Sequence, residues 1–169
     1  QTNDGGYIIA GFTESNDSDV SGNHGEKDAW IVKLNNTGVI QWQKTFGGSA
    51  SEEAHSIQQT NDGGYIFAGM AQSNDGDVSG IHGDLDCWVV KIDTIGVIEW
   101  QKTLGGTNQD IANSVKQTSD GGYIIAGETM SNNGDVSENN GNVDYWVIKL
   151  TNTGVIEKKK TLGGNNADI

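Results

Sequence analysis

The sequence predicts an all-β fold made of repeated four-stranded units, and three observations carry that prediction. First, Gln1-Thr2-Asn3-Asp4-Gly5-Gly6-Tyr7-Ile8 recurs from Gln59 to Ile66 and, with Ser119 for Asn, from Gln117 to Ile124, a spacing of 58 residues each time. Downstream landmarks keep the register: Asp28, Trp30 and Lys33 return as Asp86, Trp88 and Lys91 and again as Asp144, Trp146 and Lys149. Thr45, Gly47 and Gly48 return as Thr103, Gly105 and Gly106 and as Thr161, Gly163 and Gly164. Second, apolar residues alternate or form short runs rich in β-branched and aromatic side chains, bounded by Gly, Asn and Asp. Third, no stretch shows a helical stripe.

Each unit reads as four strands. In the last copy they are expected over 112–118, 123–127, 145–150 and 155–162. Ser119-Asp120-Gly121-Gly122 and Asn152-Thr153-Gly154 are tight turns, in which Asp or Asn bonds the turn backbone and Gly supplies positive φ. The other joins are longer: 128–142, rich in Asn, Gly and Asp, and Gly163-Gly164-Asn165-Asn166-Ala167-Asp168. The turns are therefore expected at one end of each unit and the long, acidic loops at the other. Four short strands cannot bury both faces of their sheet alone, so the units must stack. Radial stacking into a β-propeller is the commonest solution at this unit size, with a stacked solenoid as the alternative. The units divide the chain at 1–53, 54–111 and 112–169.

The hairpin Trp88-Val89-Val90-Lys91-Ile92-Asp93-Thr94-Ile95-Gly96-Val97-Ile98-Glu99-Trp100 resembles the third and fourth strands of quinoprotein-type propeller blades, where a turn leads to a docking Trp. The whole unit more closely resembles the repeats of large secreted bacterial surface proteins, many from Bacteroidetes. The matching segments are Gly63-Gly64-Tyr65-Ile66, Ser73-Asn74-Asp75-Gly76-Asp77-Val78-Ser79-Gly80, Asp86-x-Trp88-Val89-Val90-Lys91 and Trp100-Gln101-Lys102-Thr103-Leu104-Gly105-Gly106. That resemblance implies an extracellular or cell-surface location. It also implies innermost strands at 54–60 and 112–118 and outermost strands at 39–46, 97–104 and 155–162, so that the first blade lacks its inner strand. Three blades fall short of the usual ring minimum of about four. Closure is expected either from further blades of the same polypeptide or from other copies of the chain.

The 169 residues carry a net charge of −13, and their basic residues are all lysine. Such a chain repels nucleic acid and anionic membrane surfaces while leaving divalent cations and neutral glycans as possible ligands. No run approaches the roughly 18–20 apolar residues of a membrane-spanning helix. Cys87 is the single cysteine, which excludes an internal disulfide and a cysteine-based zinc site. Its equivalents are Ala29 and Tyr145, so its identity is incidental.

The long loops hold the candidate chemistry. Ser15-Asn16-Asp17-Ser18-Asp19-Val20-Ser21 recurs at Ser73–Ser79 and Ser131–Ser137. Oxygen side chains at alternate positions are how a short loop wraps calcium, which makes Asp17, Asp19, Asp75, Asp77, Asn133 and Asp135 candidate ligands, with Glu52, Asp110 and Asp168 able to complete a shell. The competing reading is that the same residues only turn and cap the backbone. His24 and His82 share a column with Asn140, which argues against a required zinc ligand, and His55 aligns with Asn113 as an ordinary polar position.

Thr60-x-Asp62-x-Gly64-x-x-Phe67 resembles the Asp-box hairpin of sialidase-like propellers, a structural motif, and the absence of Arg speaks against a carboxylate-gripping sialidase site. One Trp per unit, at 30, 88 and 146, with Trp42 and Trp100 on the outer strand, is the register of inter-unit packing; Lys158 replaces the third outer Trp. No nucleophile triad or phosphate loop stands out. The expected function is an extracellular binding, adhesion or scaffold module without catalysis, its ligand a glycan or a protein. The alternatives are part of a carbohydrate-active enzyme working from the acidic loop end, or a purely structural stalk repeat.

Overall fold

The computed structural model describes residues 1–169 as eleven β-strands with no helix. They form three antiparallel sheets in simple meander order. The first contains β1 (Tyr7–Thr13), β2 (Asp28–Leu34) and β3 (Ile40–Phe46). The second contains β4 (Glu52–Gln59), β5 (Tyr65–Ala71), β6 (Asp86–Ile92) and β7 (Ile98–Leu104). The third contains β8 (Asp110–Gln117), β9 (Tyr123–Thr129), β10 (Asp144–Leu150) and β11 (Ile156–Leu162). The three-stranded first sheet is the unit that was expected to lack its inner strand. β4 and β8 begin two residues before the expected positions, because Glu52 and Asp110 already pair with Ala71 and Thr129. The expected unit boundary at 53/54 therefore falls inside β4.

The turns form as the residue types dictate. Thr60 N–H bonds the Gly64 carbonyl at 2.9 Å, while Asp62 Oδ1 accepts from Thr60 Oγ1 at 2.5 Å and from Gly64 N–H at 2.9 Å. Gly63 takes φ 88°, and Gly5 and Gly121 do the same in the other copies. Beneath the turn lies a lysine: Lys91 Nζ reaches Asp62 at 3.0 Å and Glu99 at 2.7 Å. Glu99 can reach it because β7 bulges between its pairings with Lys91 and Ile92, which re-aims the extra residue.

The sheets pack face against face, and the core lies between them. Ala29, Ile31 and Phe46 of the first sheet meet Tyr65, Phe67, Trp88, Val90 and Ile92 of the second. Cys87, Val89 and Leu104 of the second meet Val115, Tyr123, Ile125, Trp146 and Ile148 of the third. Aromatic contacts between sheets fix the register: Trp42 on Tyr65 (5.8 Å between centroids), Trp100 on Tyr123 (5.7 Å) and Phe46 on Phe67 (5.5 Å). Thus Trp42, Trp88, Trp100 and Trp146 serve inter-sheet packing, while Trp30 of the first sheet is half-buried and meets no other sheet. Cys87 fills a core position, and burial pushes its thiol pKa up.

β4 and β8 each carry a bulge, at Ala54/Ser56 and Ala112/Ser114. Opposite each bulge stands a glycine, Gly69 or Gly127, where an added Cβ would collide with the backbone carbonyl of Glu53 or Ile111. Gly11, the equivalent on β1, has no inner strand beside it, and an added Cβ there meets nothing within 4 Å. Gly127→Ala is therefore expected to destabilise by about 1–3 kcal/mol, the usual cost of overpacking, whereas Gly11→Ala should leave the melting temperature unchanged or slightly raised. Equal losses in thermal melts of the two variants would contradict this account of the inner strand.

Candidate functional site

At the long-loop end, the connection from one sheet to the next passes through Gly47-Gly48 or Gly105-Gly106. These segments leave the outer strand with amide N–H groups that have no ladder partner. The acidic loop of the following sheet supplies acceptors. Asp75 Oδ1 accepts from Ser49 N–H at 2.8 Å, Ser73 Oγ from Ala50 N–H at 2.8 Å, and Asp77 Oδ2 from Gly47 N–H at 3.3 Å, while Asp77 N–H bonds the Gly47 carbonyl at 3.0 Å. The next junction repeats the pattern. Asn133 Oδ1 accepts from Thr107 N–H at 3.0 Å, Ser131 Oγ from Asn108 N–H at 3.0 Å and Asp135 Oδ2 from Gly105 N–H at 3.4 Å. These bonds to Ser49 hold the Asp75 carboxyl below the usual carboxylate range.

A second acid works from beneath. Glu52 is fully buried; its Oε2 accepts from Gly48 N–H at 2.7 Å and its Oε1 from the N–H groups of Gln72 (3.2 Å) and Ser73 (2.9 Å). Asp110, also fully buried, accepts from Gly106 N–H at 2.8 Å and Ser131 Oγ at 2.7 Å, and from the Thr129 hydroxyl. In the exposed final segment Asp168 caps Gly164 N–H at 2.7 Å.

The structure thus places all the candidate calcium ligands at one end of the molecule. Asp75, Asp77, Asn133 and Asp135 each spend one oxygen on a backbone N–H of the preceding sheet's outgoing loop. Asp17 and Asp19 stand exposed, with no sheet before them. No group of three or more His, Cys, Asp or Glu side chains stands close enough to hold a metal ion. His24 and His82 bond the recurring aspartate through Nδ1, at 2.7 Å to Asp28 and 2.8 Å to Asp86. Asn140 keeps only the backbone half of that contact, its N–H to Asp144 Oδ2 at 2.9 Å. His55, expected as an ordinary polar residue, bridges the inner strands through Nδ1 to the Ala112 carbonyl at 3.0 Å.

Sequence reasoning passed over Asp28, Asp86 and Asp144 as possible site residues. All three are fully buried, with Oδ2 bonded to the loop and Oδ1 without a partner. A Cβ added at Gly105 would lie 2.5 Å from Asp110 Oδ2 and 3.0 Å from Asp86 Oδ1, so two buried carboxyls converge over a glycine. The Gly47 site repeats this with Glu52 Oε2 at 2.6 Å and Asp28 Oδ1 at 2.8 Å. Burial raises the pKa of Asp86, with the neighbouring Asp135 charge adding to it. Burial also raises that of Asp110, against the opposing hydrogen bonds from Thr129, Gly106 and Ser131. The available signal was an Asp constant in every copy, two residues before Trp.

A depression between the first two sheets, lined by Asn3, Asp4, Lys33, Trp42, Gln59 and Tyr65 among others, opens at the turn end rather than the acidic end. A scan against protein-family models finds no match, and a search of curated proteins finds no relative.

Two outcomes follow. Glu52→Ala strands the Gly48 and Ser73 N–H groups, Gln72 N–H keeping the Ser51 carbonyl at 3.1 Å, and is expected to cost about 2 kcal/mol or more, whereas Asp168→Ala, in the exposed segment, should be nearly neutral in a denaturant melt. The second concerns pH. Asp86 and Asp110 bind protons more tightly folded than unfolded, so their cost grows as pH rises from the ordinary aspartate value, about 3.9, through their raised folded values. Asp4, held down chiefly by Lys33, and Asp120, held down by Thr118 and Lys149, act oppositely: their contribution is present above about 3.9 and lost below it. The melting temperature should therefore rise on acidification from pH 7 toward about pH 4 and then fall. Asp86→Asn should flatten the rise; a rise unchanged in that variant would assign it to general charge repulsion instead.

Proposed function

We propose that the chain is a β-propeller segment of a secreted or cell-surface protein, serving as a binding, adhesion or display scaffold rather than a catalyst. The observation that carries this reading is the use of the acidic loops: at both junctions the same residues are spent on backbone N–H groups, so the acid builds the stack. Radial rather than linear stacking is supported by the inner edges. Ser56 Oγ accepts from Val115 N–H at 3.2 Å and Gln58 Oε1 from Gln117 N–H at 2.9 Å, drawing β4 onto β8. No hydrogen bond joins β3 to β7 or β7 to β11. Sheets drawn together at one edge and free at the other fan about an axis.

The enzyme alternative has one observation in its favour. Two carboxyls with raised proton affinity side by side are the equipment of a glycoside hydrolase. Asp86 and Asp110 are sealed beneath Gly105 and Gly106, and a similar buried pair, Asp28 with Glu52, recurs at the other junction, an arrangement suited to holding loops rather than to receiving a sugar. The net charge of −13 directs partners away from nucleic acid and toward neutral glycans or proteins. On this reading the loop acids anchor backbone and calcium is not required.

Scanning calorimetry in calcium and in chelator tests that point, with coincident melting temperatures expected. A stabilisation by calcium that is lost in Asp77→Asn would restore the metal-binding reading. Turnover of chromogenic glycosides that falls in Asp86→Asn would replace the scaffold with an enzyme.

A further inference from the structure

The contact between consecutive sheets is built twice inside the chain, and each half of it is exposed at one end. On the incoming side of a sheet stand a Tyr, an acidic loop and a turn glycine; on the outgoing side stand the outer strand and the Gly-Gly segment. Tyr65 and Tyr123 are 3% and 2% exposed, but Tyr7 is 43% exposed. Phe46 and Leu104 are each 4% exposed, but Leu162 is 51% exposed, with Tyr145 bare beside it. Gly96 packs under Trp42 and Lys44, and Gly154 under Trp100 and Lys102, while an added Cβ at Gly38 meets nothing within 4 Å.

The unpaired polar groups match in the same way. The internal bonds Ser49 N–H to Asp75, Gly47 N–H to Asp77 and Asn3 N–H to Gln59 recur one unit later as Thr107 to Asn133, Gly105 to Asp135 and Asn61 to Gln117. One further step along the repeat gives Asn165 N–H, Gly163 N–H and Ser119 N–H as donors without acceptors on the third sheet. Their acceptors, one step back, are Asp17, Asp19 and Gln1 on the first sheet.

We propose that copies of this chain associate head to tail, the outgoing face of the third sheet in one copy docking on the incoming face of the first sheet in the next. The contact is heterologous, so it propagates into rings or filaments according to the rotation per copy. It is independent of whether the module binds or displays. Three residues make it weaker than the internal junctions. Tyr145 stands where Ala29 and Cys87 are fully buried small side chains. Ser18, at φ 55°, replaces Gly76 and Gly134, where an added Cβ presses on the Gly47 carbonyl or lies 2.5 Å from that of Gly105. Lys158 replaces the Trp that covers the next sheet's Tyr. The docked first sheet also lacks an inner strand, so the Ser56 and Gln58 bonds have no counterpart.

Sedimentation velocity and native mass spectrometry of the 169-residue chain test this. Average mass is expected to rise with concentration. Ser18→Gly, Lys158→Trp and Tyr145→Ala together, which restore the residues of the internal junctions, should shift association to about tenfold lower concentration or further, the worth of one good aromatic contact. Ile9→Asp and Leu162→Asp, each altering one exposed face, should each block self-association, yet their mixture should form one-to-one dimers through the two intact faces. A chain that stays monomeric even with Ser18→Gly, Lys158→Trp and Tyr145→Ala overturns the proposal and assigns the faces to a different partner. So does an Ile9→Asp/Leu162→Asp double variant that still associates, or a mixture that yields no dimer.

Discussion

The stack of sheets depends on one demand of the backbone. A segment that leaves the outer strand of one sheet and enters the inner strand of the next carries amide N–H groups that no ladder can satisfy, and those of its two glycines are buried where the sheets touch. Unpaired, each would cost about 1–3 kcal/mol. Glu52 and Asp110 meet the demand from below and the Ser-Asn-Asp-Gly-Asp loop of the following sheet from the side. The acceptors belong to the second sheet and the donors to the connection from the first, so satisfying the backbone also fixes how the sheets sit. The aromatic core between them then closes at a set register rather than sliding.

Much of the fold was legible in the sequence because its determinants are local. The spacing of 58, the Asp-Gly-Gly turns and the alternating strands depend on residues within a few positions of one another. So does the absence of an inner strand before Tyr7, which follows from counting strands in the other copies. The bulges at His55 and Asn113 were not legible, since an extra residue in one strand is defined only by its pairing with another. Their trace was the glycine at 69 and 127, which reads as an ordinary small strand residue until the facing carbonyl is in place.

The candidate site was legible in position but not in employment. Alternating Asp, Asn and Ser oxygens present the same pattern to a cation and to a row of peptide N–H groups. Which of the two they face is decided by the connection from the preceding sheet, some 26 to 30 residues away in sequence. Asp28, Asp86 and Asp144 were harder still. An aspartate before a strand normally reads as a cap in solvent, and only the packed structure shows it sealed opposite a second acid.

Several differences among the copies lie on the two faces that no sheet of this chain covers. At the core position on the outgoing face, Ala29 and Cys87 are buried small side chains, while the uncovered third sheet carries Tyr145. The outer-strand Trp that covers the next sheet's Tyr is Lys158 on the third sheet, and the glycine packed beneath a facing carbonyl in the second and third copies is Ser18 in the first. Lys33, Lys91 and Lys149, by contrast, are unchanged, because each is held inside its own sheet by the turn aspartate and a residue of the outer strand. Constancy at this lysine thus follows contact within a sheet. Tyr145, Lys158 and Ser18 lie on the same two faces as the exposed apolar residues Tyr7, Ile9 and Leu162, and the internal junctions show what kind of surface covers such faces.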